Sequence, residues 1–385
     1  MARKVCVVIT ARPSYSRIRS VLTAVKEHPD LELQLVVAAS AVLDRYGSAD
    51  KVIESEGFTV DRRVYMILEG ENLVTSAKST GLGLAELATV FDNLQPDLVV
   101  TIADRFETMA TAVAASYLHI PLVHVQGGEI TGSIDEKVRH AITKLADLHF
   151  VATDKAATRV ERMGERREQI YVTGCPSIDV AARALELPPT DVATLIGRAG
   201  GVGPELDLDD GYMVVMQHPV TTEYAEARQH VEMTLEAVAE SAIPTLWFWP
   251  NVDAGSDGTS RGIRAFRELH NPPNIHFFKN LPPEEFLRLL YDSRGIVGNS
   301  SVGIRECSYL GVPTVNIGTR QGGRDRGGNV LDIDYDRGAI LDAIRTQTSK
   351  GRLPSDGLYG DGNAGPKIAE LLTTVPLTVE KRLTY

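Results

Sequence analysis

A chain of 385 residues exceeds the ~250–300 at which single hydrophobic cores stop growing, so two domains are expected. Its net charge of −11 argues against a nucleic-acid partner, and 43% hydrophobic with 24% charged residues is the composition of a globular chain in water, neither disordered nor membrane-embedded. No run approaches ~20 uninterrupted apolar residues, and "MARKVCVVIT" enters a strand at once with no signal-peptide core, which predicts a cytoplasmic protein without a membrane partner.

Strand-like runs then follow one another along the chain. "KVCVVIT", "LELQLVVAA", "DLVVTIA", "PLVHVQG", "LHFVAT" and "IYVTG" are apolar almost throughout instead of alternating, the pattern of strands buried on both faces of a parallel sheet. The amphipathic stretches between them predict helices on both sides, hence a doubly wound α/β domain. After the first run, "TARPSYSR" puts Arg12 at the strand end and Ser16 in the helix that follows, a combination suited to gripping a diphosphate. It contains no GxGxxG, so the usual nicotinamide fingerprint is missing and neither hydride transfer nor a nicotinamide cofactor is expected. "IADRFET" places Asp104 just past the next central strand, either as a helix N-cap or as an acid/base group; Arg105 beside it either holds an anion or keeps Asp104 ionised. "VHVQGGEITGSIDEKVRH" ends another buried run in a cluster of protonatable and amide side chains around paired glycines.

The stretch "LELPPTDVATLIGRAGGVGPELDLDDG" is polar and rich in Pro and Gly, and the boundary between the domains is expected within it: 1–185, then 205–385, with the last helix free to pack back on the first domain. The alternation resumes with "YMVVMQHP", "TLWFWP", "NIHFFKN", "GIVGNS" and "PTVNIG". His218 stands at the tip of the first of these runs, before a proline, as a titratable group or as a satisfied structural histidine. "WPNVDAGSDG" offers Asn251 and Asp253 in a strand-tip loop or a plain glycine turn. In "VGNSSVGIRE", a strand ending at Gly298 gives way to a helix whose backbone N–H groups, with the hydroxyls of Ser300 and Ser301, are placed to receive an anion, while Glu306 is in reach of a ribose. "GTRQGGRDRGGNV" closes the set with Arg320 in a cationic loop. "SYLHIPLVHV" and "SYLGVPTVNI" echo one another across the two halves. Cys6, Cys175 and Cys307 are far apart, show no metal-ligand spacing, and are read as small buried hydrophobes; no metal site is expected. Each motif is weak singly, but all lie past the ends of strands predicted to be parallel, where open α/β sheets bind ligands; two such domains facing one another would share a cleft.

Read end to end, "ARPSYSRI", "DRFET", "GGEITGSIDEKVRHAITKLA", "TGCPSID", "QHPVTTE", "PNVDAGS", "GNSSVGIRE", "GTRQGGRDRGGNV" and "YGDGNAGPKI" resemble the hydrolysing UDP-N-acetylglucosamine 2-epimerases. The resemblance implies two Rossmann-like domains of GT-B type, a UDP-sugar substrate held mainly by the second domain, and a homodimer or homotetramer. It implies loss of UDP across C1–C2 and hydration to free N-acetylmannosamine, or the same reaction on a diacetamido-trideoxy sugar. At the matching positions Arg12, Ser16, Ser300, Ser301 and Glu306 would hold the nucleotide, Arg105, Asn251 and Arg320 would line the site, and Asp104, Asp135 and His218 would carry the catalysis. One position departs. The family has a glutamate before the paired glycines, where this chain has Gln126, an amide that exchanges no proton; Glu129 is the nearest carboxylate in sequence. The alternatives are an epimerase adapted to another phosphorylated sugar, or a silent nucleotide-sugar binder.

Overall fold

The computed structural model describes residues 2–69, 73–102, 105–130, 134–220, 222–250, 256–278 and 281–384, and leaves the side chains of Leu73, Ile134 and Asp135 undescribed. It divides into two compact units. The first holds the described residues of 1–130, 134–179 and 360–385, and the second those of 180–359.

The first unit is built on a parallel sheet of β1 (Arg3–Ile9), β2 (Leu31–Ala38), β3 (Arg62–Val64), β4 (Leu98–Ile102), β5 (Leu122–Val125), β6 (Leu148–Val151) and β7 (Ile170–Val172), in the order β3-β2-β1-β4-β5-β6-β7. β1 shows why its sequence is apolar throughout. Val5, Val7 and Ile9 point into one core cluster, while Cys6 and Val8 point into another on the opposite face. Each of these buried Val or Ile side chains contributes roughly 1.5–3 kcal/mol relative to exposure, so both faces of the strand are under the same selection for apolar residues.

The second unit repeats the plan with β8 (Met213–Met216), β9 (Thr245–Phe248), β10 (Ile275–Phe278), β11 (Ile296–Gly298), β12 (Thr314–Ile317) and β13 (Val330–Ile333), ordered β10-β9-β8-β11-β12-β13 and parallel throughout. Counted from its own first strand, each sheet runs 3-2-1-4-5-6, with a seventh strand added at the end of the first, the doubly wound order in which chain direction across the sheet reverses beside the first strand. The two echoing segments occupy the same place in both: each is a helix end, a turn and the fifth strand of its sheet, β5 and β12.

The first unit gives way to the second at Asp179, ahead of the Pro- and Gly-bearing stretch. That stretch carries a helix, Val192–Ala199, capped by Asp191, whose Val192 and Leu195 enter the second unit's core. At Gly360 the chain returns to the first unit. Its helix Ala364–Thr374 lays Ile368, Ala369 and Leu372 into the core formed with Ile18, Val21, Leu22 and Val25 of the helix Arg12–Glu27. The helix start is capped from a distance, for the Asp179 carboxylate accepts the N–H groups of Ala364 (2.8 Å) and Gly365 (2.7 Å). Among the described residues no helix is long and apolar enough to cross a membrane.

Candidate functional site

In the second unit the strand order reverses between β8 and β11, and the two strand tips are tied together beyond their last paired residues, Met216 and Gly298. Gly298 takes φ +130°, and a Cβ there would lie 2.2 Å from the carbonyl oxygen of Met216, so only glycine lets the two tips approach this closely. Asn299, fully buried, then clamps the backbone of His218. Its Oδ1 accepts the His218 N–H at 2.7 Å and its Nδ2 donates to the His218 carbonyl at 2.8 Å. The main-chain carbonyl of Asn299 accepts Nη1 of Arg320 (3.1 Å) and Nε2 of Gln321 (2.8 Å), both just beyond β12. His218 is therefore fixed at the tip of β8 near a guanidinium. Burial, helped by the positive charge of Arg320, pushes its imidazole down to about 3, so it is neutral at physiological pH.

The segment after Asn299 differs from the single helix expected. It forms two short pieces, Ser301–Ile304 and Glu306–Leu310, which meet at Arg305. The Ser300 hydroxyl caps the first piece by accepting the Val302 N–H at 3.4 Å, and the Ser301 hydroxyl accepts Nη2 of the buried Arg305 at 3.1 Å. Ser300 thus serves the local backbone and Ser301 the Arg305 guanidinium. The break makes Glu306 the first residue of a new turn instead of a mid-helix position. Its Oε2 is buried without a partner among the described residues, as are Oε1 of Gln217 and of Gln321. Buried acceptors left without a donor are costly, and three of them beside His218, Arg305 and Arg320 suit a ligand that brings hydroxyl or N–H groups.

The first unit presents its candidates at the tips of β1, β4 and β5. Arg12 is exposed and begins its helix after Ala11, which supplies no side-chain cap; the Ser16 hydroxyl donates to the Arg12 carbonyl at 3.3 Å. Arg105 occupies the N-cap position of the helix Phe106–Tyr117 without a side-chain cap, and its guanidinium lies on the buried carboxylate of Glu107 at 3.2 Å. Gln126 is buried at the end of β5 with φ +66°, a left-handed backbone rare for a residue with a side chain and typical of strained functional positions. Its Nε2 donates to Sγ of Cys175 at 2.8 Å. Gly128, at φ +75°, passes so close to the Ala156 carbonyl that a Cβ would lie 2.4 Å from it, and Glu129 beyond it is buried. Asp135 belongs to the first turn of the helix Ile134–Leu145. Asp104, Asn251, Asp253 and the side chain of Asp135 lie outside the described residues. Among the described residues no three His, Cys, Asp or Glu side chains are grouped as metal ligands.

A family model described as UDP-N-acetylglucosamine 2-epimerase matches residues 23–373. The chain belongs to that family. A UDP-N,N'-diacetylbacillosamine 2-epimerase (hydrolyzing) of Legionella pneumophila is 32% identical over 377 residues, 98% of this chain and 97% of that protein. A UDP-N-acetylglucosamine 2-epimerase of Neisseria meningitidis is 30% identical over 365 residues, 94% of this chain and 92% of that protein. Among solved structures, a UDP-GlcNAc 2-epimerase from Neisseria meningitidis bound to UDP-GlcNAc matches this epimerase-family chain with a TM-score of 0.80 at 18% identity, covering 96% of this chain and 99% of that one. That likeness shows a shared GT-B-like fold with two parallel sheets.

Within this UDP-N-acetylglucosamine 2-epimerase family member, the sequence gives the positions of the candidates along the chain but does not reveal their partners. Asn299 sits inside "GNSS", where the adjoining serines carry the more familiar anion-binding signal. Glu107 reads in sequence as the acid of an ordinary helix start, although it is 1% exposed and holds Arg105. Tyr335, beyond β13, stacks on His230 at 3.6 Å; burial and then the charge of Glu223 push its hydroxyl up to about 12, so it stays protonated.

Proposed function

We propose that this chain is a hydrolysing UDP-sugar 2-epimerase acting on UDP-N-acetylglucosamine or its diacetamido-trideoxy analogue. The observation that carries the reading is the constellation at the β8–β11 reversal: a neutral His218, the Arg320 guanidinium, the Ser300–Ser301 turn and the unpartnered Glu306 oxygen. The diphosphate is received by Arg320 and by the N–H and hydroxyl groups of Ser300 and Ser301, and Glu306 accepts the ribose hydroxyls. Arg12 and Ser16 supply a further cationic and hydroxyl grip. The extent of the likeness to the Legionella hydrolyzing enzyme supports the hydrolytic form.

The chemistry asked of these groups is proton transfer and charge stabilisation. A base removes the weakly acidic proton at C2, the C1–O bond breaks, and its electron pair leaves with UDP, giving a 2-acetamidoglycal. The cationic and N–H groups stabilise the departing diphosphate. Water then adds at C1 while C2 takes a proton on the opposite face, and the free 2-epimer results. Asp104, Asp135 and His218 are assigned to these proton transfers. A neutral imidazole is ready to accept a proton, and the arriving diphosphate then favours its protonated form. Gln126, held by Cys175, orients substrate or water, and Glu129 is the reserve base beside it.

The test is a panel of UDP-sugars incubated in heavy water, with mass spectrometry of the released sugar and nucleotide. Free sugar carrying deuterium at C2, together with UDP, is the expected result. An epimer still attached to UDP would refute the hydrolytic form, and UDP binding without turnover would identify a silent binder.

A further inference from the structure

The helix Ile134–Leu145 starts with Asp135 in its first turn and ends beside a buried ionic cluster that the reaction does not use. Glu165, with its side chain 2% exposed, stands at the centre. It takes Nζ of Lys144 at 2.5 Å, Nζ of Lys381 at 2.5 Å and Nε2 of the fully buried His149 at 3.1 Å. Burial alone would raise this carboxyl; the three donors outweigh it and hold the group down at about 2. Lys144 belongs to the helix itself and also donates to the Met163 carbonyl at 3.0 Å. Lys381 comes from far along the chain, beyond the returning helix Ala364–Thr374, and spends its other donors on the helix end: it reaches the carbonyl of Thr143 at 3.1 Å and that of Ala146.

A helix leaves its last four carbonyls without intrahelical partners, and its C-terminus carries a partial negative charge. An ammonium bonded to two such carbonyls, and neutralised by a buried carboxylate, fixes that end firmly. The same turn is tied to the other candidate strand tip. The Thr143 hydroxyl donates to the Arg139 carbonyl at 3.0 Å and meets Nδ1 of His124 at 3.2 Å, two residues before Gln126 on β5. Gly127 has no room to give: a Cβ there would lie 3.0 Å from Nδ1 of His124 and 3.1 Å from the Thr143 hydroxyl. Lys381 therefore loads one helical turn from which two lines run, along the helix axis to Asp135 and through His124 to Gln126.

We propose that Lys381 is a positioning residue for the reaction, holding the helix that begins at Asp135 and the strand end that presents Gln126; the proposal rests on the epimerase reading above. Reacting groups displaced by ~1 Å can lose as much as ~10²-fold in rate, so a loosened helix end shows in turnover before it shows in nucleotide binding.

The experiment uses the full chain with Lys381→Met, the milder Lys381→Gln, and Lys381→Arg as the rescue. The expected result for Lys381→Met is a kcat lowered about tenfold or more, KM and UDP affinity within roughly twofold of the parent, faster amide exchange at 143–146, and recovery of most of the rate with arginine. Faster exchange with kcat unchanged would overturn the proposal. So would activity lost only in proportion to the unfolded fraction, or failure of both Met and Gln variants to fold, since either makes Lys381 a stability residue alone. A parent protein that turns over no nucleotide sugar overturns the epimerase reading itself, and that is seen before any variant is assayed.

Discussion

Replacing Asn299 with alanine withdraws at one stroke the donor and the acceptor that clamp the backbone of His218, at 2.7 and 2.8 Å. Asn299 and His218 are both buried, so water does not easily stand in for the amide. Depriving a buried polar group of its partner costs about 1–3 kcal/mol, and two groups are affected here, giving about 2–6 kcal/mol in all. The second unit spans 180 residues from Val180 to Tyr359, a size at which each kcal/mol moves the melting temperature by about 2–4 °C. Asn299→Ala should therefore lower the transition of this unit by roughly 4–24 °C. Asn299→Asp is the informative companion. It keeps an acceptor for the His218 N–H but turns a carboxylate oxygen toward the His218 carbonyl, so it should fare no better than alanine despite its shape. Scanning calorimetry of the full chain, with UDP affinity measured alongside, reads both effects. A fall of less than about 2 °C in Asn299→Ala would refute the clamp as the element that fixes His218, because the predicted range follows directly from the two bonds.

Two further outcomes follow from the same strand tips. Ser301→Ala combined with Glu306→Ala should weaken UDP binding by about 2–4 kcal/mol, tens-fold or more, with the fold retained; calorimetric affinity equal to the parent's would remove both residues from the nucleotide site. His218, ordinarily near 6.5 and pushed down to about 3 by burial and then by Arg320, stays neutral in the folded chain while the unfolded chain takes up a proton. Its contribution to stability is whole above pH ~6.5 and declines as the pH falls toward 3, so His218→Gln should flatten that part of the stability profile, measured by denaturant titration from pH 7 to 4; an unchanged slope would show that His218 is not the group responsible.

Most strands legible in the sequence are buried on both faces, because a residue such as Val7 or Cys6 meets an apolar core whichever way it points; the edge strand β7, with Val172 exposed, is legible only because "IYV" is apolar by composition. β3 and β13 are hidden for the converse reason. Each lies at a sheet edge, each is short, and "RRV" and "VLDI" bury little, so neither leaves the continuous apolar run that marks its neighbours. The helix Val192–Ala199 is masked by the prolines and glycines around it, although Asp191 is a standard cap signal. The sequence allows for a last helix that packs back on the first domain, but the point of return at Gly360 and the reach of Lys381 to Glu165 are set by contacts between segments far apart in the chain, for which no local signal exists.

For the candidate site, position along the chain is legible and partnership is not, and the β8–β11 register shows why. A strand end is announced locally, where an apolar run stops at Gly298 or Met216 and polar residues begin. Which residue then stands beside which is decided by the pairing of Gly298 with Met216, made between segments some eighty residues apart. Shifting that pairing by one residue would carry the Asn299 amide away from the His218 backbone and turn alternate side chains to the opposite face of the sheet. The tightness of the approach at Gly298, where a Cβ would lie 2.2 Å from the Met216 carbonyl oxygen, makes the side-chain-free residue a condition of the register itself. The glycine that reads in sequence as the start of an anion-binding turn thus acts first on the sheet. It sets the two strand tips close enough for Asn299 to hold His218, and the arrangement that Arg320, Ser301 and Glu306 complete depends on that contact.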